Sequence, residues 1–283
     1  MNEVLVAFLL TIFAGLATGI GGLIVVFSKT TTRRFLSICL SFAAGVMIYI
    51  SFAEVLFSAF TDMEEILYYD EVYHYEGWSV LIITVSFFVG ILLMALVDKL
   101  IPHDEEIVEM LDAKTNDELE KQYALVEKKE LKRTGLLSMF AVSLHNLPEG
   151  LMVFMAALVD PSMGLGIAIA IAIHNIPEGI AIATPIYYAT GSKKKALGYS
   201  IISGLTEPLG ALIAWVLFLR VFDQIEDIFP IVFAVIGGIM VFVAIHQLLP
   251  AAQKYGKHHS VMRWLFYGMA FMAASLVLLD FFV

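Results

Sequence analysis

Long apolar runs separated by short polar stretches dominate the sequence. Eight of these runs reach about 20 residues or more, the length that an α-helix needs to cross the hydrocarbon core of a bilayer. They cover residues 3–27, 35–59, 79–101, 135–158, 162–190, 196–220, 228–250 and 261–283. Backbone polar groups inside lipid must be satisfied within each segment, which favours helices. The pattern predicts an all-α integral membrane protein, with residues 1–283 forming one transmembrane domain of eight helices.

The composition agrees with this prediction. The chain has 283 residues, of which 60% are hydrophobic and 16% charged, with a mean hydropathy of +0.85, whereas a typical soluble domain is about half apolar. The first run lacks a basic start and is too long for the core of a signal peptide, so we expect a retained helix. Cys39 is the single cysteine, which excludes an internal disulfide and a cysteine-rich zinc site.

The basic residues fall almost entirely on one side of the predicted bundle. Of the 17 Lys and Arg residues, all but Arg220 lie in or beside the connections that follow the first, third, fifth and seventh segments. Positively charged loops stay in the cytoplasm. We therefore expect a multi-pass protein of the cell (inner) membrane, with both termini extracytoplasmic and the charged loop between segments three and four cytoplasmic.

Two connections carry most of the acidic residues. Residues 102–134 mix acids and lysines with few aromatic residues, and we expect a mobile cytoplasmic loop with at most a short helix around "DELEKQYALVEKKEL". The connection "TDMEEILYYDEVYHYEG" has six acids and no Lys or Arg. It is either an ordinary solvated loop or a negative mouth that attracts cations.

The two halves of the chain resemble each other in reverse orientation. Residues 43–59 of the second segment align without gaps with residues 236–252 of the seventh, and segments four and five share a six-residue motif. The paired segments cross the membrane in opposite directions. This pattern predicts an inverted-topology repeat, with helices 1–3 and 6–8 around a core pair formed by helices 4 and 5. Transporters of this kind bind substrate near the midplane, between the repeats.

The shared motif is "HNLPEG" in segment four and "HNIPEG" in segment five. Each copy places a histidine and a glutamate four residues apart, which puts both on one face of a helix: His145 with Glu149, and His174 with Glu178. Two antiparallel helices facing each other would bring together two imidazoles and two carboxylates. Four N/O ligands of this type suit Zn²⁺ and related divalent transition metals.

Further polar residues accompany the motif. Asn146 and Asn175 lie about 100° round the helix from the histidines and closer to the glutamates, so each glutamate could face two ions. Glu207 adds a third acid in "SGLTEPLGA". Pro148 and Pro177 should kink or unwind their helices. A single buried histidine is usually a hydrogen-bonded core residue, but a repeated set of ionisable groups inside membrane helices is costly and indicates function.

These motifs resemble the ZIP (Zrt/Irt-like protein) family of divalent-metal transporters, and most of all its prokaryotic zinc-uptake branch. The resemblance covers all eight segments and implies inward transport of Zn²⁺, often with Fe²⁺, Mn²⁺, Co²⁺ or Cd²⁺, in a homodimer. It also implies a binuclear midplane site on helices 4, 5 and 6. The first ion would be held by His145, Glu149, His174 and Glu178, with Met47 nearby. The second would be held by Asn146, Asn175 and Glu207, which share the two glutamates.

The sequence departs from the family pattern at two places, and it suggests a path for the metal. His246 and Gln247 stand where relatives often carry an acid, and the charged loop has only one histidine, which leaves metal sensing by that loop in doubt. Glu54, on one face with Met47 and Ser51, is a candidate ligand at the entrance. The candidate exit ligands are Asp98, His103 and His246. Each of these residues is otherwise a polar side chain snorkelling to the interface.

Two other functions are compatible with buried histidines and glutamates. One is an intramembrane zinc-dependent hydrolase, in which the metal activates water, and the other is a metal-sensing or structural membrane protein. The chain lacks an H-E-x-x-H motif, and a doubled motif suits a passage better than one catalytic centre. We expect no enzymatic activity, no organic cofactor and no nucleic-acid partner.

Overall fold

The computed structural model describes residues 3–28, 32–69, 77–100, 116–218 and 228–280, and these form eight helices. We label them α1 (Glu3–Phe27), α2 (Arg33–Ile50, Ser51–Leu56 and Phe57–Tyr69), α3 (Gly77–Leu100), α4 (Asn116–Val159), α5 (Pro161–Thr190), α6 (Lys193–Gly204 and Thr206–Phe218), α7 (Phe229–Phe242, Val243–Leu248 and Leu249–Tyr255) and α8 (His258–Asp280). All eight are long and apolar enough to cross a membrane. The prediction of an all-α protein with eight transmembrane helices is confirmed.

Very short connections make α4, α5 and α6 sequential antiparallel neighbours. Asp160 alone separates α4 from α5, and its carboxylate caps α5 by accepting a hydrogen bond of 2.8 Å from the Ser162 amide. Gly191 ends α5 with a φ of 64°, a left-handed conformation that glycine adopts without strain. Ser192 then caps α6 through the Lys195 amide. The two copies of the motif are therefore held side by side by local sequence signals.

Two helices extend well beyond the predicted segments. The helix α2 continues to Tyr69 and α4 begins at Asn116, so the short helix expected around "DELEKQYALVEKKEL" is continuous with α4, and the mobility of the loop over 102–134 stays a prediction. Residues 101–115 lie outside the described part. The extension is rich in good helix formers, and ion pairs tie it to other helices. These pairs are Arg33–Glu127 at 3.5 Å, Lys254–Glu130 at 2.5 Å and Arg133–Asp98 at 2.5 Å.

The irregular backbone does not occur where the prolines predict it. The helices α4 and α5 continue through Pro148 and Pro177, so the predicted unwinding beside the histidines is wrong. A proline removes one hydrogen bond, but the bonds on either side can persist. Instead, α2 and α7 each contain a π-helical turn, at Ser51–Leu56 and Val243–Leu248. A break at Leu205 interrupts α6.

The packing of the outer helices shows the inverted repeat directly. The helix α2 packs on α8, and α7 packs on α3. A Cβ at Gly45 would lie 2.0 Å from the carbonyl oxygen of Leu265, and one at Gly238 would lie 2.0 Å from that of Phe87. Gly45 and Gly238 are equivalent in the sequence alignment of the two halves. Both contacts therefore require glycine for the same close approach of backbones.

The central helices repeat this arrangement. The helix α1 packs on α5, and α6 packs on α4. Gly15 of α1 and Gly204 of α6 face each other so closely that a Cβ on either would meet the other's carbonyl oxygen, at 2.2 and 2.0 Å. Gly15 and Gly204 therefore make α1 and α6 an equivalent pair of the two repeats, as the shared motif does for α4 and α5. The functional site lies among these four helices.

Candidate metal site

The two motif copies meet in the interior of the bundle. His145, Asn146 and Glu149 lie on α4, His174, Asn175 and Glu178 lie on α5, and Glu207 lies on α6 beside the break at Leu205. All seven side chains are buried, with at most 5% of any residue exposed. The α4–α5 connection sets the register of the copies, so the spacing within each motif determines which side chains face each other.

Both histidines converge on one carboxylate oxygen. His174 Nε2 lies 2.7 Å from Glu149 Oε1, and His145 Nε2 lies 2.8 Å from the same atom. The ligand atoms of these three residues all lie within 4.8 Å of one another. Two imidazole nitrogens and a carboxylate at this spacing are three ligands of a type that suits a zinc ion.

Glu178 occupies the same place in its motif as Glu149 but has different surroundings. Both of its carboxylate oxygens are buried, and neither has a hydrogen-bond partner among the residues that the structure describes. The side chain still interacts electrostatically with His145, Glu149 and His174. Of the four ligands predicted for the first ion, three therefore form a tight cluster, and the fourth stands next to them with both oxygens unbound.

The asparagines present their oxygens to the same region. Asn175 donates its amide to the Ala14 carbonyl at 3.0 Å and to the Glu207 carboxylate, and Asn146 donates to the Ser203 carbonyl at 3.4 Å. Because the amide nitrogens are used in this way, both amide oxygens are left without a partner. Each asparagine predicted to bind a second ion thus keeps its amide oxygen free of hydrogen bonds to the described residues.

Unsatisfied polar atoms concentrate at this site. Among the described residues, eleven buried side-chain nitrogen or oxygen atoms lack a hydrogen-bond partner, and seven of them belong to the predicted metal ligands: His145 Nε2, Asn146 Oδ1, Glu149 Oε2, Asn175 Oδ1, Glu178 Oε1 and Oε2, and Glu207 Oε2. Folded proteins leave few such atoms, and each exception calls for an explanation. Bound cations would give these atoms partners.

A cavity of about 400 Å³ connects the histidine side of the site to one end of the bundle. His145, Glu149 and His174 line its inner part. Glu54 is half-buried along the wall, and Asp62 of α2 lies at the exposed end. The predicted entrance residue Glu54 therefore lines the same cavity as His145, Glu149 and His174.

Two other residues predicted on the entrance side take different positions. Met47 is fully buried in the largest apolar cluster of the core, and Ser51 donates a hydrogen bond of 2.6 Å to the Met47 carbonyl oxygen. Neither is among the described residues that line the cavity.

A polar cluster lies at the end of the bundle opposite the exposed end of the cavity. Asp98 accepts hydrogen bonds from Arg133 at 2.5 Å and from Gln247 at 2.6 Å, and His246 Nε2 lies 3.5 Å from its second oxygen. The predicted exit residues Asp98 and His246 are therefore neighbours, but Asp98 is already paired with a cation. His103, the third predicted exit residue, lies outside the described residues.

Sequence reasoning missed four polar residues at these places. Ser58 and Asp62 follow Glu54 at intervals of four along α2, a helical stripe that could have revealed them. Arg133 was counted only as a loop charge, because nothing in the sequence pairs it with Asp98. Thr18 of α1 is fully buried without a hydrogen-bond partner among the described residues, and no motif surrounds it.

Comparison with known proteins agrees with this picture. The sequence profile described as "ZIP Zinc transporter" matches residues 3–276. The chain is 43% identical to the "Zinc transporter ZupT" of Clostridium perfringens over 98% of this chain and 97% of that protein. It is 45% identical to the protein of the same name from Nitratidesulfovibrio vulgaris, over 98% of both chains, and 45% identical to that from Streptococcus mutans, over 96% of this chain and 97% of that protein. The chain belongs to the ZIP family of zinc transporters.

Proposed function

We propose that this protein imports Zn²⁺ into the cytoplasm through the buried cluster on α4, α5 and α6. The observation that carries the proposal is a set of seven buried nitrogen and oxygen atoms that have no hydrogen-bond partner among the described residues and could bind metal. The cavity beside the histidines opens toward one end of the bundle. Carriers bind their cargo near the middle of the membrane and expose it to one side at a time. The zinc transporters of three bacterial species share 43–45% of this sequence, which supports zinc as the cargo.

We further propose that two ions bind together. Three buried carboxylates carry three negative charges when ionised, and buried charges must be paired or bind metal. A zinc ion usually takes four ligands, fewer than the seven residues predicted to bind metal here, so one ion would leave several buried oxygens without a partner. In the proposed site the first ion takes His145, Glu149, His174 and Glu178, and the second takes Asn146, Asn175 and Glu207, with the two glutamates of the motif shared.

The donor set also bears on the range of metals carried. Imidazole and carboxylate ligands suit several divalent transition ions, and geometry rather than raw affinity selects among them. We therefore propose that Fe²⁺, Mn²⁺, Co²⁺ and Cd²⁺ compete with Zn²⁺. Met47 would join the first ion only after a rearrangement of the core, because the apolar cluster now encloses it.

We infer the orientation of the protein in the membrane from its charge distribution. Because Lys and Arg concentrate on the side that carries Arg133, we place that side in the cytoplasm. Both termini and the exposed end of the cavity then face outward, in the cell (inner) membrane. Glu54 and Asp62 would collect cations at the entrance.

Large apolar side chains on the outside of the bundle, such as Phe88 and Leu92 of α3, would face lipid or the second copy of a homodimer.

Release into the cytoplasm requires the closed end to open. Asp98 can accept a metal ion there only after Arg133 and Gln247 move away, since both now bind its carboxylate. His246 is about half exposed beside it and would act as a second exit ligand. Replacing His246 with alanine should slow zinc release without changing binding at the buried cluster, and unchanged transport kinetics would remove this role.

The test is zinc uptake into proteoliposomes by the wild type and by the Glu178→Ala variant. We expect uptake by the wild type and its loss in the variant. Glu64→Ala is the control, because it also removes a carboxylate, but from an exposed position on α2 away from the cavity. If the folded wild type binds zinc and moves none, the protein is a metal sensor or hydrolase instead. If the wild type takes up zinc, competition by iron, manganese, cobalt and cadmium would rank these metals as cargoes.

A further inference from the structure

Among the helical hydroxyls that the structure describes, two are fully buried without a hydrogen-bond partner: that of Thr184, which lies against the Cys39 thiol, and that of Thr18. Serine and threonine in a helix usually donate to the carbonyl four residues earlier. Ser41, Ser51 and Ser138 do so, at 2.6 to 2.8 Å. Thr18 is completely buried, and its hydroxyl has no partner within the part of the chain that the structure describes. Such a group is costly unless something outside the protein binds it.

The usual acceptor of Thr18 serves the metal site instead. The residue four positions before Thr18 is Ala14, and its carbonyl accepts the 3.0 Å hydrogen bond from Asn175. The helix α6 has the same arrangement, because Ser203 lies four positions before Glu207 and its carbonyl accepts from Asn146. Each asparagine of the twin motif is thus held by the turn that precedes Thr18 or Glu207.

The close backbone contacts make Thr18 and Glu207 equivalent. A Cβ at Gly179 in the second motif copy would lie 1.9 Å from the Thr18 carbonyl oxygen. A Cβ at Gly150, the same position of the first copy, would lie 2.0 Å from the Glu207 carbonyl oxygen. Thr18 therefore occupies on α1 the place that Glu207 occupies on α6, on the opposite flank of the α4–α5 pair.

We propose that the Thr18 hydroxyl is an oxygen ligand of the second ion, supplied by α1 opposite Glu207. This inference rests on the proposed second ion. The hydroxyl would add a neutral oxygen ligand where Glu207 adds a carboxylate on the other flank. The second ion would then be held only by oxygen atoms of amides, carboxylates and one hydroxyl, whereas the first ion also binds two imidazoles. The helix α1 would contribute directly to the metal site.

The test is equilibrium dialysis of purified protein in detergent against Zn²⁺, with bound metal counted per chain. Thr18→Val keeps the shape of the side chain and removes the hydroxyl. We expect the wild type to bind two ions, and the variant to bind the second about 10-fold more weakly while retaining the first, an effect typical of losing one contact in a metal site. Thr18→Ser should restore the affinity.

Thr11→Val is the matched control, since it removes a buried hydroxyl from the same helix that already donates to the Phe8 carbonyl at 2.8 Å. It should bind both ions normally. If the wild type binds two ions and Thr18→Val binds them with unchanged affinity, the role of Thr18 is refuted and the binuclear site stands. If the wild type binds only one ion, the second site and the role of Thr18 are both refuted. Melting of the metal-free variants would show that each is folded.

Discussion

The two copies of the motif have nearly the same sequence and different environments. In the first copy, one oxygen of Glu149 contacts both histidines, at 2.7 and 2.8 Å. In the second, both oxygens of Glu178 are buried without a hydrogen bond. The flanking helices differ too, since α6 brings Glu207 to one side and α1 brings Thr18 to the other. The nearly identical sequences therefore place these side chains at equivalent positions, and the neighbouring helices determine what each side chain contacts.

Because of this asymmetry, we expect the two glutamates to contribute differently to the stability of the protein. Glu149 is positioned by contacts with two histidines, whereas Glu178 makes no hydrogen bond within the described part of the chain. In the metal-free protein we expect Glu149 to contribute to stability and Glu178 to reduce it, because an unpaired buried polar group carries its full desolvation cost. The following experiments test this division.

The largest expected effect is on transport, where the two copies should behave alike. Glu149→Ala and Glu178→Ala each remove a shared ligand of the buried site, so each should reduce zinc uptake by about 100-fold, the upper range for losing a supporting group in a metal site. Uptake into proteoliposomes measures this. Retention of more than about half of the activity in either variant would show that the corresponding motif copy does not bind cargo.

The next effect distinguishes the two ions. Glu207→Gln keeps the size of the side chain and removes its charge, and it should reduce bound zinc from two ions per chain to one. The first ion should remain, because His145, Glu149 and His174 are untouched. Counting bound zinc after dialysis measures this result. Loss of both ions would mean that the two sites are filled only together.

The third effect should have opposite signs for the two glutamates. In metal-free protein, Glu149→Gln should lower stability by about 1–3 kcal/mol, because both histidine contacts weaken. Glu178→Gln should leave stability unchanged or raise it, since it neutralises an unpaired carboxylate. Thermal melting in detergent with a chelator measures the difference. Added zinc should then raise the melting temperature of the wild type more than that of either variant. Equal destabilisation by both variants would contradict the division.

The smallest expected effect separates the asparagines. Asn175 donates to Glu207 and Ala14, and Asn146 donates only to Ser203, at a longer distance. Asn175→Ala should therefore weaken the second ion several-fold more than Asn146→Ala, in keeping with about 1 kcal/mol for each additional hydrogen bond. Zinc titration of the two variants measures the ratio. An equal loss would show that the amide oxygens act alike and that the amide contacts contribute little.

The twin motif and the number of helices could be predicted from the sequence with little ambiguity. Apolar runs of bilayer length are local features, and so is the four-residue spacing of His and Glu. The inverted repeat was also visible, because Gly45 and Gly238 align and both make the same close contact. The extent of α4 was not predicted, because the interactions that hold residues 116–134 in place are ion pairs to distant helices.

What the sequence determined by itself was the set of elements, the donor residues and the charge asymmetry across the membrane, since each depends on composition or on spacing within one segment. Only the tertiary structure decided which donors are already bound and which are not. Glu149 and Glu178 differ through the geometry of α4 against α5. Asp98 is paired through α4 and α7, and the contact of α1 with α5 places Thr18 beside Gly179 of the second motif copy. These are contacts between residues far apart in the chain, and side-chain spacing within a single helix carries no information about them.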